Sequence, residues 1–322
     1  MRKVSVRSIA ARLEISASTV ARALSGSLPV AESTRRLVLE TAREMGYRRP
    51  GGHRRFLLIC ADEFCRASYD RSLIGEVIEQ CARAKAGLML ITEANLGELS
   101  DTPFDGLFSV CYSDRINRFL AESFNCPVVC FNNTQCHREN IYSVNSDEAG
   151  AISAAVACFR AAGHRRIGLL GLDSRDFSHR RRREQFLAAV RIHPEMTGFL
   201  YEVSRQTDYW EILRALDRDA TTAVLLPHEG FELSLLKILE VEGKRIPRDL
   251  SLITWEDPKV SRFVHPPLTT FSQDFATMAQ RGVELMTALL HATRQHPARD
   301  VSVPYLFFER ESVGAPPERA ER

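Results

Sequence analysis

The chain has 322 residues, 44% apolar and 26% charged, which allows two or three folding units with a sizeable core and argues against disorder. No apolar run approaches the ~18–20 residues of a membrane helix, and the start, MRKVSVRSIAARLEIS, lacks the apolar stretch of a signal peptide, so a cytoplasmic location is expected. The formal charge of +2 conceals a division: residues 1–55 carry 12 basic and 4 acidic side chains, the rest 31 and 37, a basic head on an acidic body as expected when only the head meets phosphate.

Taken in chain order, Ser5 is placed to cap a first helix whose apolar side is Val6, Ile9, Ala10 and Leu13. After a turn at Glu14-Ile15, Ser16 caps a second helix, Ala17 to Leu24, with Val20, Ala23 and Leu24 inward and Ser25-Gly26 as its stop. A third helix spans Glu32 to Met45, with Val38, Ala42 and Met45 on one side and Gly46 as terminator. Three such helices close one small core together, and the tight turn leaves one face of the second free to enter a major groove.

The segment Val4 to Tyr47, with Ile15-Ser16-x-Ser18-Thr19-Val20-x-Arg22-x-Leu24 at its centre, resembles the headpiece of the LacI/GalR family of bacterial transcription regulators. That resemblance implies that Ala17, Ser18 and Arg22 face base edges, while Ser5, Ser16 and Thr19 hold phosphates. The chemistry agrees: an arginine fork suits guanine, an alanine methyl suits thymine, and hydroxyls at a helix N-terminus suit phosphate. The plainer reading of Arg22 is a surface ion pair. Ala31 stands where the family usually has a serine cap.

Next comes Arg48-Arg49-Pro50-Gly51-Gly52-His53-Arg54-Arg55, a turning stretch that is not helical. It lacks the residues for the short helix that in the family wedges a leucine into the minor groove, so Arg48 and Arg49 are expected to hold phosphates or to line the minor groove electrostatically instead.

From Phe56 onward apolar runs alternate with helical patterns. The expected strands are Phe56–Ala61, Leu88–Thr92, Gly106–Val110, Pro127–Phe131, Ile167–Leu172, Ala223–Leu226 and Ser251–Trp255. The expected helices include Ser72–Ala84, Asp147–Ala162, Glu232–Glu242 and Phe275–His291. This alternation predicts an α/β body of parallel sheets covered on both faces, with ligands beyond the carboxyl ends of the strands. All eight cysteines fall between Cys60 and Cys158, mostly in apolar runs, as buried thiols in a reducing compartment do. Cys126, Cys130, Cys136 and His137 can be drawn as a metal site, but their gaps are not those of a zinc ribbon and core packing is the favoured reading; no metal or cofactor is expected.

The landmarks of this body, among them Phe104-Asp105-Gly106-Leu107, Gly163-His164-Arg165-Arg166-Ile167 and Pro266-Pro267-Leu268-Thr269-Thr270, also resemble the LacI/GalR sensor, itself akin to periplasmic sugar-binding proteins. The resemblance implies a three-helix headpiece (1–47), a short basic linker (48–55) and a two-lobed periplasmic-binding-protein-like sensor (56–314). One lobe would be 56–144 with 274–300, the other 145–273 with 301–314, and 315–322 a disordered tail. The segment Glu93–Pro103 is short for the helix usual there. Carried over by position, Tyr69, Asn132, Arg182, His228, Glu256 and Phe275 would line a cleft between the lobes, a set suited to a sugar. Tyr209 and Trp210 are further candidates. His228-Glu229 replaces the usual Asn-Asp, and Trp255-Glu256-Asp257 the usual Phe-Asp-Asp, so no ligand identity transfers.

The expected partners are therefore a pseudo-palindromic duplex, a small carbohydrate-like effector and a second copy of the chain. A constitutive regulator with a vestigial pocket, and a sugar-acting enzyme with a DNA-binding head, stay open as alternatives. Against the enzyme, the chain has no G-x-S-x-G, no P-loop, no G-x-G-x-x-G after a strand and no H-E-x-x-H.

Overall fold

The computed structural model of the protein describes residues 4–25, 30–47, 54–62, 68–101, 104–111, 114–123, 126–133, 140–172, 177–203, 209–228, 230–255, 261–291 and 298–318. Three short helices come first: α1 (Val6–Leu13), α2 (Ala17–Ser25) and α3 (Glu32–Glu44). Ser5 caps α1 in a reciprocal box with Ser8: the Ser8 amide donates to Ser5 Oγ at 3.2 Å, and the Ser5 amide to Ser8 Oγ at 2.9 Å. Glu14 turns the chain in the left-handed region at φ 54°, which lets α2 begin with only three residues between it and α1. Ile9, Ala10, Val20, Ala23, Leu24, Val38, Leu39 and Ala42 form a core that these helices close by themselves.

The remainder alternates strands and helices as the apolar runs predict. The first half carries β1 (Arg55–Cys60), α4 (Ser68–Arg83), β2 (Gly87–Thr92), β3 (Gly106–Ser109), α5 (Asp114–Ser123), β4 (Val128–Phe131) and β5 (Ile141–Ser146). The second carries α6 (Glu148–Ala161), β6 (Arg166–Leu172), α7 (Phe177–Arg191), β7 (Thr197–Val203), α8 (Tyr209–Arg218), β8 (Ala223–Leu226), α9 (Glu232–Val241) and β9 (Ser251–Trp255). Then follow β10 (Thr269–Ser272), α10 (Phe275–His291), β11 (Asp300–Val303) and β12 (Leu306–Phe308). Glu93–Asp101, in the segment read as too short for its helix, forms a 3₁₀ helix. Residues 315–318, read as the start of a disordered tail, are placed, and the Pro316 ring lies against Gly163; the last four residues are outside the described set.

Two six-stranded sheets result, in the orders β11-β5-β4-β3-β1-β2 and β12-β10-β9-β8-β6-β7. The pairings of β2-β1-β3-β4-β5 and of β7-β6-β8-β9-β10 are parallel, and β12 joins β10 antiparallel. Parallel strands need covering helices on both faces, which is why β1, β3, β4, β8 and β9 read as nearly unbroken apolar runs.

The chain divides into two compact units, one of residues 1–145 and 275–303, the other of 146–274 and 304–322. In the first, α10 lies so close to β4 that a Cβ on Gly282 would stand 2.5 Å from Phe131. In the second, His164 is fully buried and ties three segments together: its Nδ1 meets Thr222 Oγ1 at 2.8 Å, and its Nε2 meets Ser251 Oγ and the Gly314 carbonyl, each at 2.9 Å. In both sheets the order reverses beside the central strand, at β1/β3 and at β6/β8, and such a switch point opens a crevice at the carboxyl ends of the strands.

Candidate functional site

Helix α2 has two faces set by its sequence. Val20, Ala23 and Leu24 point into the core, while Ala17, Ser18 and Arg22 are exposed together with Ala21, at spacings that put all four on one side. Ser16 closes the N-terminus of α2: its hydroxyl accepts the Thr19 amide at 3.0 Å and shares hydrogen bonds with Ser18 Oγ at 2.8 Å and Thr19 Oγ1 at 2.7 Å. Arg22 Nε donates to the Ser18 carbonyl at 3.3 Å, which lays the side chain back along the helix while it stays exposed. Ser5 is exposed at the start of α1. The surface is thus small side chains and one guanidinium beside a helix N-terminus, free of carboxylates on that helix, and suited to a phosphate-flanked groove. Arg48 and Arg49 lie outside the described residues.

In the first unit, three of the expected effector residues come together at the carboxyl end of the sheet. Tyr69 sits in the first turn of α4, Asn132 follows β4 directly, and Phe275 opens α10. Asn132 Nδ2 donates to the Tyr69 hydroxyl at 3.0 Å, and the Tyr69 and Phe275 rings meet edge to face with centroids 5.5 Å apart. Asn132 holds a left-handed conformation, φ 51°, one that asparagine tolerates better than most residues. Beside Tyr69, burial pushes the Asp70 carboxyl up to about 6.

In the second unit, Arg182 and His228 meet. Arg182 is half-buried on α7, whereas Arg180 and Arg181 are exposed, as expected of a mostly solvated run. Its guanidinium is engaged: Nε and Nη2 both reach Glu148 Oε1, at 2.7 and 2.6 Å, and Nη1 donates to the Pro227 carbonyl at 2.9 Å and approaches His228 Nδ1 at 3.5 Å. His228, just beyond β8, is 6% exposed and meets His179 edge to face at 4.9 Å. Burial, then the charge of Arg182 and the neighbouring His179, hold the His228 imidazole well below its usual pKa, so it stays neutral.

Trp255, the last residue of β9, packs on Phe271 at 5.1 Å and Tyr305 at 5.3 Å. The Tyr305 phenol is pushed above its usual range, mainly by burial and also by the charge of Glu148. Glu256 lies outside the described residues, and Tyr209 packs into the apolar cluster around α8 and α9.

Sequence reasoning missed Glu148, His179 and Tyr305. Glu148 opens α6 behind the cap Asp147, and only folding carries it across 34 residues to Arg182. Cys130 is buried in β4 and Cys126 is half-buried before it; Cys136 and His137 are outside the described residues. Among the described residues, no group of three or more histidine, cysteine or carboxylate side chains is arranged to hold a metal ion. No described helix is long and apolar enough to cross a membrane.

Residues 156–313 match the model of the periplasmic binding protein-like domain. Among curated relatives, the HTH-type transcriptional repressor PurR of Mannheimia succiniciproducens is 26% identical over 305 residues, 87% of this chain and 90% of that one. The repressor CytR of Escherichia coli is 25% identical over 294 residues, 83% of this chain and 84% of that one. Among solved structures, the Lac repressor dimer bound to operator and the anti-inducer ONPF superposes with a TM-score of 0.70 at 17% identity, covering 98% of this chain and all of that one. The transcriptional regulator CelR in complex with cellobiose gives 0.68 at 19%, covering 96% and 100%. These last two likenesses concern the fold.

Proposed function

We propose that this chain is a transcription regulator of the LacI/GalR type, a repressor that grips operator DNA with α2 and is switched by a small, sugar-like effector. The observation that carries the DNA reading is the exposed face of α2, where Ala17, Ser18 and Arg22 stand together on an independently cored three-helix head. Arg22 reads a guanine and Ala17 contacts a thymine methyl, while Ser5, Ser16, Thr19, Arg48 and Arg49 hold phosphates and fix the register. The relatives' names as repressors support the sign of regulation, and they speak against an enzyme.

The effector contacts are Tyr69, Asn132 and Phe275 in one unit and Arg182, His228 and Glu256 in the other. A carbohydrate is favoured because a solved neighbour is a cellobiose complex and because the described groups mix aromatic faces with hydrogen-bonding side chains. The protein acts in the cytoplasm as a homodimer whose two heads read a pseudo-palindrome, as the dimeric, operator-bound neighbour suggests.

Selection of random duplexes on the full chain tests this. The expected product is a pseudo-palindromic consensus with two equivalent half-sites. Retained DNA with no consensus contradicts the reading.

A further inference from the structure

The second-unit cluster also bears on which ligands the sensor accepts, provided the sensor reading above holds. We propose that the surface around Arg182 selects an uncharged polyhydroxyl ligand and rejects the carboxylated or phosphorylated form of the same sugar. A free arginine fork is the usual reason for a site to prefer an anion, because two parallel N–H donors match a carboxylate or phosphate. Here Glu148 already takes two guanidinium nitrogens and the Pro227 carbonyl takes the third.

The pair is well shielded, with side chains 15% and 17% exposed, and Glu148 stands in the first turn of α6, where the helix end favours a carboxylate. An anionic ligand must displace Glu148 and leave a shielded carboxylate unpaired, or approach it against repulsion. The next arginine on α7, Arg183, lies 3.9 Å from Glu202.

A hydroxyl meets no such obstacle. It can donate to Glu148 without displacing Arg182. His228 faces Arg182 Nη1 through Nδ1 at 3.5 Å. Its neutrality, set by burial and by Arg182, removes the imidazolium that would otherwise attract an anion.

Calorimetric titration of the full chain decides the matter, with D-glucose, D-galactose, D-ribose and cellobiose set against glucuronate, galacturonate, glucose 6-phosphate and ribose 5-phosphate. The expected result is a neutral sugar that binds at least tenfold tighter than its acid or phosphate. Glu148→Gln should narrow that gap at least fivefold, and Glu148→Asp should keep most of it, with thermal melts checking that both variants fold. An acid or phosphate that outbinds its neutral parent in the unaltered protein overturns the proposal, whether or not the variants fold. So does a gap that a folded Glu148→Gln variant leaves unmoved. Silence from every probe overturns the sensor reading as well, and is told apart because neither member of any pair binds.

Discussion

The hydroxyl of Ser16 accepts the Thr19 amide while remaining exposed at the start of α2, so one side chain serves both the helix and the proposed phosphate contact. Ser16→Ala should lower head stability by about 1 kcal/mol and weaken binding to all duplexes alike, which melting and parallel titration of unrelated sequences will read. Asp70 makes a separate prediction. Its carboxyl rises to about 6 in the fold, so between the usual carboxylate range and pH 6 the folded chain holds a proton that the unfolded chain has released. Stability from this group is present at low pH and lost as pH rises through 6. Asp70→Asn should therefore raise the melting temperature at pH 7.5 and do so much less at pH 4.5. An equal rise at both would refute the burial account. At this scale the sequence marked Arg182 and His228 but not their pairing, because Glu148 and His179 are ordinary helix residues until the fold brings them alongside.

The interior strands were legible because they are buried on both faces: β8 and β9 coincide with the runs read from sequence, and β1, β3 and β4 differ by one or two residues. The helix Phe275–His291 was legible end to end. Not legible were β5, β7, β10, β11 and β12. The strands β7, β11 and β12 lie at sheet edges and are partly exposed, so pairing with a neighbour, more than composition, makes them strands. The apolar run of β5 is interrupted by Ser143, a buried hydroxyl satisfied by Asp300, 157 residues away.

The link made by His164 belongs to this scale too. His164→Ala strips partners from Thr222, Ser251 and the Gly314 carbonyl, and should cost ~2–4 kcal/mol in denaturant unfolding. Burial lowers the pKa of His164, as it does for His228, so below the ordinary imidazole range the unfolded chain binds more protons than the folded one. Stability from both is present above that range and lost as pH falls through it.

Across the whole chain the charge division is the plainest sequence signal, a head of +8 ahead of a body of −6. Two such heads on one duplex, each engaging about three phosphates, give a log–log salt slope of roughly −5. A slope of roughly −3 would mean that a single head makes contact. The parallel sheets were legible as an alternation of strand and helix patterns, whereas their division between two units followed only from the family resemblance. The effector's identity was not, since the residues carried over by position differ from the family pattern at His228 and Glu256.

The most direct measurement compares the unaltered chain with Arg22→Ala on the selected duplex, on the same duplex changed at each base pair in turn, and on random competitor at moderate salt. If Arg22 reads a base, the variant loses ~1–3 kcal/mol of discrimination at one position of each half-site and keeps it elsewhere. If the variant weakens binding to every duplex by the same factor, or if the unaltered chain prefers no duplex over random DNA, the face of α2 does not read sequence.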